Sequence, residues 1–558
     1  MEIDQKTKDM IQERFKAIEY ESQKWTAAWR DIAKYEAPTR GRFDDLPNRG
    51  KMIDHKTILD GHATQASKIM ASGMQSGMTS PTRPWIALRV KDPELMAKPN
   101  VRMWLDEVTK LMLDVCSDSN IYSVFYSMYE EIANFGVTAA IILEDYDDVI
   151  RGRSFTIGEY FLGINAKGVV DTFGRKMQMT VSQVVDAFGI ENVSSSVKTA
   201  YEGNRVDDWV KINHLIEPNT RRVDGFVDQQ NMPFRSVYWE VGQSNLLLAF
   251  KGFEEFPVIA PRWDTVTTDT VYGYGPGWNA LGNVKQLQKT VLDKLLAQEK
   301  AHNPPVQKDS SVEGHVNLLP GGVTTTSSAL PNAGVRPAYQ VNANLESFIE
   351  LIGELKASIN KDFFVDLFLM MINFDKSNMT ATEVAERQQE KIMMMGPILE
   401  KLQSEMLDPF VERLYGILNR NAMLPEPPEE IMDMAIEPEY VSILAQAQKA
   451  VGVNSISRVL GFIGGAAPIY PDAPDNIDID EAIREVAILE GVPAKLILEK
   501  KVVQQIREQR AQAQQMQQQM AMASQGAKAA KDLANAKTSE PSALTAATAA
   551  AGMATGTQ

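Results

Sequence analysis

Apolar residues return at every third or fourth position in several long stretches, and the longest block lies between Pro276 and Met423. From Trp278 to His302 the recurring residues are Trp278, Leu281, Val284, Leu287, Val291 and Leu295, which places them on one helical face. Asn303-Pro304-Pro305 ends this helix, because proline has no amide hydrogen and restricts the residue before it. Residues Val306 to Val341 are rich in Val, Thr, Gly and Pro, with turn signals at Pro320-Gly321-Gly322 and Pro331-Asn332, and predict short strands. The helical period then resumes through Leu345, Phe348, Ile352, Leu355, Ile359 and Phe363. The predicted unit is a helical pair with a small β tip. A polar break follows at Ile372–Met379. Thr380 and Glu383 then have the spacing of a capping box, opening a long helix to about Asn421. Gly396-Pro397 must break that helix in its middle, and Pro409 can bend it again.

Ahead of this block, Ile11, Phe15, Ile18, Trp25, Trp29 and Ile32 define a first amphipathic helix, and Arg40–Arg49 reads as a polar loop. A second helix, from about Thr57 to Met78, ends in Gly77-Met78-Thr79-Ser80-Pro81-Thr82-Arg83-Pro84-Trp85. The two prolines there give an extended turn into a strand, Trp85–Val90. Val101–Ser117 and Ile121–Phe135 read as helices, and Gly136–Asp145 as a buried strand. Strands are predicted within Arg153–Thr172, Val210–Ile216, Ser236–Val241, Leu246–Phe250 and Pro257–Trp263, with a short helix at Thr180–Phe188. This is an α+β pattern with a mixed or antiparallel sheet. After the Pro425–Glu429 linker, helices are expected at about Glu439–Val451, Ser455–Ile463, Asp478–Glu490 and Pro493–Arg510. Beyond Tyr470 there is no aromatic residue. Ala511 to about Met522 reads as a fraying helix, and the Ala/Thr/Ser/Gly remainder as disordered.

Composition excludes more than it selects. A net charge of -16 opposes binding of nucleic acid by bulk attraction. Cys116, the single cysteine, rules out an internal disulfide and a cysteine-based zinc site. The polar start carries no signal-peptide pattern, and no apolar run approaches the length that spans a membrane. There is no GxxxxGK[ST] phosphate loop, no HExxH and no G-x-S-x-G elbow. Gly273-x-Gly275-x-Gly277 precedes a helix, but Pro276 and the missing βαβ context make it a tight turn rather than a nucleotide loop. No catalytic, cofactor or metal residue is assigned.

Four stretches, in order, are similar to the head-to-tail connecting (portal) proteins of short-tailed, podovirus-type bacteriophages. They are Gly77–Trp85, Pro261-Arg262-Trp263, Val271-Tyr272-Gly273-Tyr274-Gly275-Pro276-Gly277, and Met379-Thr380-Ala381-Thr382-Glu383-Val384. The resemblance implies an α/β wing over 1–275, a helical stem pair at 276–302 and 344–371, and a β-rich clip at 303–343. It further implies a tunnel loop at 372–379, a long kinked helix at 380–424 and a helical crown at 425–510; the low-complexity tail at 511–558 carries no such resemblance, and a coiled continuation, like the helical barrel of some portals, is the alternative to disorder there. It also implies a ring, expected to be a dodecamer, at one capsid vertex of the virion. Double-stranded DNA would be packaged and ejected through it. Terminase large subunit, tail adaptor, scaffold and major capsid proteins would dock on it. The alternatives are a ring-forming tail adaptor and a DNA-processing enzyme.

Two groups of side chains follow as candidates. Glu346, Glu350 and Glu354 form an acidic stripe at helical spacing, and Lys285 and Lys289 have the same spacing on the first helix, so the pair is expected to be tied by charge. Asn373, Phe374, Asp375, Lys376, Ser377 and Asn378 would form the narrowest part of the channel, with Lys376 as a cationic girdle.

Overall fold

The computed structural model describes residues 5–43, 57–374, 395–442, 459–465, 470, 477–489 and 500–535. Within these spans it omits 97, 224, 226–227, 243–246, 311, 313–314, 320–321, 326–333, 339–344 and 433. Two compact units are present, residues 1–465 and 466–558.

In the first unit, α1 (Gln5–Tyr35) buries Ile11, Phe15, Ile18, Trp29 and Ile32, the stripe expected from its period. Its first half packs on Phe161, Leu215, Val237 and Trp239. These belong to a five-stranded antiparallel sheet of order β4-β5-β6-β7-β8. The strands are β4 (Tyr160–Ile164), β5 (Val170–Thr180), β6 (Trp209–Pro218), β7 (Phe234–Glu240) and β8 (Leu247–Phe253). A capping box on Thr180 and Gln183 starts the helix Val181–Phe188 that leaves β5. A second sheet, β3-β2-β9, joins β2 (Ala139–Asp145), β3 (Val149–Phe155) and β9 (Val258–Ile259).

The largest core is helical. α2 (His62–Met78), α4 (Pro99–Asp118) and α5 (Ile121–Phe135), with the short α3 (Pro93–Met96) beside them, share one apolar cluster with α8 (Pro276–His302), α9 (Leu345–Asp362) and α10 (Val365–Phe374). The same cluster takes in the helix over 395–402 (α11) and α12 (Asp408–Arg420). The helices before residue 275 therefore share their core with the later ones.

Two local expectations change, and a third is met. The second helix of the pair is not continuous. Phe364 adopts a left-handed backbone (φ 51°) between α9 and α10. Neither glycine nor proline marks that position. The break turns Leu367 and Phe368 into the core, where Phe368 fills the space opposite Gly73 of α2. At Ile436–Tyr440 the chain is a strand, β12, not the start of a helix at Glu439. It pairs antiparallel with β1 (Ile86–Val90), from Ile86 opposite Tyr440 to Val90 opposite Ile436. Pro438 is tolerated because a two-stranded ladder leaves one strand edge without a partner. The long helix does yield at a proline, through a π-turn at Gln403–Leu407. Pro409 lacks an amide hydrogen, and its ring would press on the carbonyl four residues back in a regular helix.

In the second unit, α14 (Ile479–Leu489) and α15 (Lys500–Asn535) are bridged by a bidentate Arg507–Asp480 pair at 2.6 and 2.7 Å. α15 continues past Met522 to Asn535. Its Ala, Gln, Lys and Met residues are strong helix formers even where they bury little.

Candidate functional site

The helical pair is built as a lever with a buried base and an open outer half. Gly275 is the N-cap of α8 and Pro276 occupies its first turn, where the missing amide hydrogen costs nothing. Near this base Ala280, Val284 and Leu287 are buried, and from α9 so are Leu355 and Ile359. Further out, Leu292, Leu295 and Leu296 of α8 and Leu345 and Ile349 of α9 are 37–59% exposed. At the far end β10 (Val306–Lys308) pairs antiparallel with β11 (Val335–Pro337), which is the expected β tip.

Hydrogen bonds donated by one amide hold the two helices at the base. Asn283 Nδ2 donates to Ser358 Oγ at 3.0 Å and to Asp362 Oδ2 at 3.4 Å. Gln288 clasps the chain before α2, accepting from the amides of Leu59 and Asp60 and donating to the Asp60 carbonyl. Lys356 pairs with Asp60 at 2.7 Å, and His62 Nε2 meets Asn360 Oδ1 at 2.9 Å.

The charge tie expected between the helices is absent within the subunit. Lys285 pairs with Asp31 of α1 at 2.6 Å, and Lys289 with Asp293 of its own helix at 2.8 Å. Each lysine is committed to a carboxylate of α1 or of α8 itself, and the glutamates of α9 lie on another face of the pair. Glu346, Glu350 and Glu354 are exposed on α9. Asn373 and Phe374 close α10 rather than opening a loop. Asp375, Lys376, Ser377, Asn378, Thr380 and Glu383 lie outside the described residues.

The recurring motifs lock the lever to the rest of the subunit. In Gly77–Trp85, Thr79 Oγ1 meets Tyr129 OH at 3.0 Å, and Trp85 packs edge-on against Phe125 and beside Phe410. In Pro261-Arg262-Trp263, the buried Arg262 sends Nε and Nη2 to the two oxygens of Glu405, at 3.1 and 2.6 Å. Its amide adds a bond to Glu405 Oε2 at 2.9 Å, Nη1 donates to the Thr270 carbonyl, and Nη2 donates also to the Gly168 carbonyl. In Val271–Gly277, Tyr272 OH accepts from the amide of Leu162 at 3.1 Å. The glycines there serve close approach. A β-carbon at Gly275 would overlap Gly136, and one at Gly277 would overlap Asn134 O and Glu36 Oε2. This is helix packing, not a phosphate cradle.

Sequence reasoning missed Glu405, and also the pairing of Arg413 and Arg420 with Glu255. Arg413 is buried, donates from Nε to the Ile142 carbonyl at 2.8 Å and pairs with Glu255 at 3.2 Å. Burial lowers its pKa to about 10, while Glu255 pulls the other way. The available signal was Pro409, which places the π-turn that carries Glu405.

His214 and Ser236 superficially resemble a nucleophile and its base. However, Arg175 Nε donates to His214 Nδ1 at 3.1 Å, so Nε2 must carry the hydrogen it shares with Ser236 Oγ at 2.9 Å. That tautomer cannot accept the serine proton, and burial together with Arg175 holds the ring neutral. Among the described residues, no three His, Cys, Asp or Glu side chains converge as a metal-ligand set, and no helix is long and apolar enough to cross a membrane.

A lever with a β tip, rooted in an α+β body by these motifs, defines a connector-type subunit. Residues 8–498 match the bacteriophage head to tail connecting protein family, and the chain belongs to that family. The portal protein of Salmonella phage epsilon15 is 40% identical over 507 residues, covering 90% of this chain and 91% of that protein. The probable portal protein of Bordetella phage BPP-1 is 38% identical over 511 residues, covering 91% and 92%. Among solved structures, a chain from the virion of a native gene transfer agent particle is similar over 84% of this chain and 94% of that chain. The identity there is 11% and the TM-score 0.37.

Proposed function

We propose that the chain is a portal subunit that assembles into a ring, twelve-fold in this reading, at one vertex of the virion capsid. The α8–α9 levers stand side by side around a channel for double-stranded DNA. The observation that supports the ring is the exposed apolar outer half of the lever: Leu292, Leu295, Leu296, Leu345 and Ile349. A second copy of the same lever is the occupant that matches these residues in both length and apolar character. In this reading Glu346, Glu350 and Glu354 face cations of a neighbouring subunit, Lys289 and Lys285 among them. Asp375, Lys376, Ser377 and Asn378, with Asn373 and Phe374 before them, line the narrowest point. The β10–β11 tip and the helices after residue 425 are the docking surfaces for terminase large subunit, tail adaptor, scaffold and major capsid proteins. The role is structural, without a chemical step or cofactor.

A net charge of -16 per subunit suits a conduit, because negative walls repel phosphates and keep the DNA sliding. Native mass spectrometry with negative-stain imaging tests the ring. A closed ring with a central hole is expected, and Leu295→Asp with Leu296→Asp should reduce it to smaller species. A monomer at every concentration would overturn the reading.

A further inference from the structure

Tyr146 sits at the tip of the β2–β3 hairpin and is fully exposed. The turn that carries it is tightly held. Asp145 Oδ1 accepts from the amides of Asp147 and Asp148 at 3.0 and 3.2 Å. Asp148 lies 3.8 Å from Arg151, and Glu144 pairs with Arg420 at 3.0 Å. Val149 closes the turn with a left-handed backbone (φ 66°), a conformation unfavourable to a β-branched side chain. The neighbouring Asp147 is exposed, and its carboxylate has no bonded partner among the described residues. A fixed turn therefore presents an aromatic ring and a carboxylate side by side to the outside of the subunit.

At the opposite end of the same hairpin a cleft of about 500 Å³ opens between α2, α5, the chain after α1 and the end of β3. Tyr126 and Phe155 give it aromatic walls, and its charged lining is Arg40, Arg42 and Lys68 against Glu130 and Glu159. Arg40 is bonded to Glu130 and Arg42 to Glu159, which leaves Lys68 as the surplus cation. Lys68 is exposed and has no bonded partner among the described residues. On a chain of net charge -16, a cleft with an excess of positive charge is a local exception. It suits a carboxylate carried next to an aromatic ring, with the ring on the walls and the anion on the lysine.

The hairpin tip has that chemistry, but it cannot reach the cleft of its own chain. Six residue steps of β3, from Val149 to Phe155, hold the two roughly 20 Å apart. Complementary surfaces at two different places on one subunit make a head-to-tail contact, the kind that closes into a ring. We propose that the hairpin tip of one subunit docks in this cleft on the next copy of the chain. Tyr146 packs against Tyr126 and Phe155, and Asp147 pairs with Lys68. The contact rests on the ring reading and adds a joint between subunit bodies, separate from the levers.

The test uses the full-length chain, whose single cysteine, Cys116, is buried. In the double variant Tyr146→Cys with Lys68→Cys, oxidation should link neighbours into a ladder of covalent multimers on a non-reducing gel. A disulfide requires Cα atoms within about 7 Å, so a link inside one chain is out of reach. Mixing the two single-cysteine variants should give covalent dimers and nothing longer. Tyr146→Ala should raise the protein concentration at half-assembly about tenfold or more. Asp147→Lys should act in the same direction, and adding Lys68→Glu should restore assembly. The proposal is overturned, with the portal reading left standing, if rings form without the ladder or if Lys68→Glu fails to rescue Asp147→Lys. A wild-type chain that forms no ring overturns both.

Discussion

Arg262 and Glu405 stand 143 positions apart in the chain, and the side chain and amide of one clasp the carboxylate of the other with three hydrogen bonds. The guanidinium is buried, and the carboxylate projects from the π-turn at Gln403–Leu407. This pair fastens the π-turn to the strand-rich part of the subunit. Removing one partner leaves an uncompensated buried charge, which costs about 3–5 kcal/mol. Arg262→Ala and Glu405→Ala should each lose roughly that much in denaturant unfolding. Arg262→Lys should not restore it, because an ammonium cannot reproduce the fork. Arg262→Met with Glu405→Leu should recover most of the loss. Equal stability of Arg262→Ala and wild type would show that the clasp is not made in solution.

Two glycines of the same helix should respond in opposite directions. Gly277 has no room for a β-carbon, and Gly277→Ala is expected to destabilise by about 1–3 kcal/mol. Gly282 has no neighbour within reach of a β-carbon, so Gly282→Ala should stabilise by about 0.5–1 kcal/mol. Thermal melts of the two variants check the sign. A stabilised Gly277→Ala would remove the close-packing account of that glycine.

Stability should carry a pH signature from Glu131. This buried side chain accepts from Thr156 Oγ1 at 2.7 Å, the Ile157 amide at 3.2 Å and Arg40 at 3.2 Å. Arg40 is also bonded to Glu130, so one positive charge is shared by two carboxylates. Burial raises Glu131 to about 7, against the pull of Arg40 and these hydrogen bonds. The folded chain then keeps a proton that the unfolded chain releases near 4.5. Its contribution is complete below that value and is lost as pH rises through about 7. The stability advantage of the wild type over Glu131→Gln should therefore shrink by roughly 2–3 kcal/mol between acid and neutral pH. An advantage independent of pH would mean that Glu131 is ionised throughout.

The acidic stripe and the lysines give a test of how neighbouring subunits meet. Because Lys285 and Lys289 are committed to Asp31 and Asp293 within the chain, charge reversal at Lys289 should cost little in subunit stability, about 0–1 kcal/mol for an exposed pair. If the stripe faces a neighbour, Lys289→Glu should still weaken ring assembly, and Glu350→Lys in the same chain should restore it. Size-exclusion profiles across a concentration series provide the readout. Absence of rescue would assign the stripe to solvent.

Lys376→Glu tests the channel reading. Phosphates within a Debye length of about 8 Å of a ring of lysines would feel it. The variant should assemble normally yet package or retain less DNA. Particles with normal DNA content and retention would make Lys376 an ordinary surface charge.

Local chemistry alone determined much of this protein. The stripes of α1, α5, α8 and α9 follow from the 3.6-residue period. The stops at Pro304 and Pro305, the Thr180–Phe188 helix and the β tip follow from proline, capping and turn chemistry. The four motifs placed the chain in its family, although their roles were not visible in them. Long-range packing decided the rest. Phe364 takes a left-handed backbone because the core needs Phe368 opposite Gly73, and nothing at Phe364 announces this. Ile436–Tyr440 becomes a strand only because Ile86–Val90 lies beside it. Lys285 finds Asp31 rather than the glutamate stripe because α1 packs beside α8 there. Arg262 and Glu405 acquire their meaning from a partner 143 residues away, and a one-dimensional pattern holds no record of that distance closing.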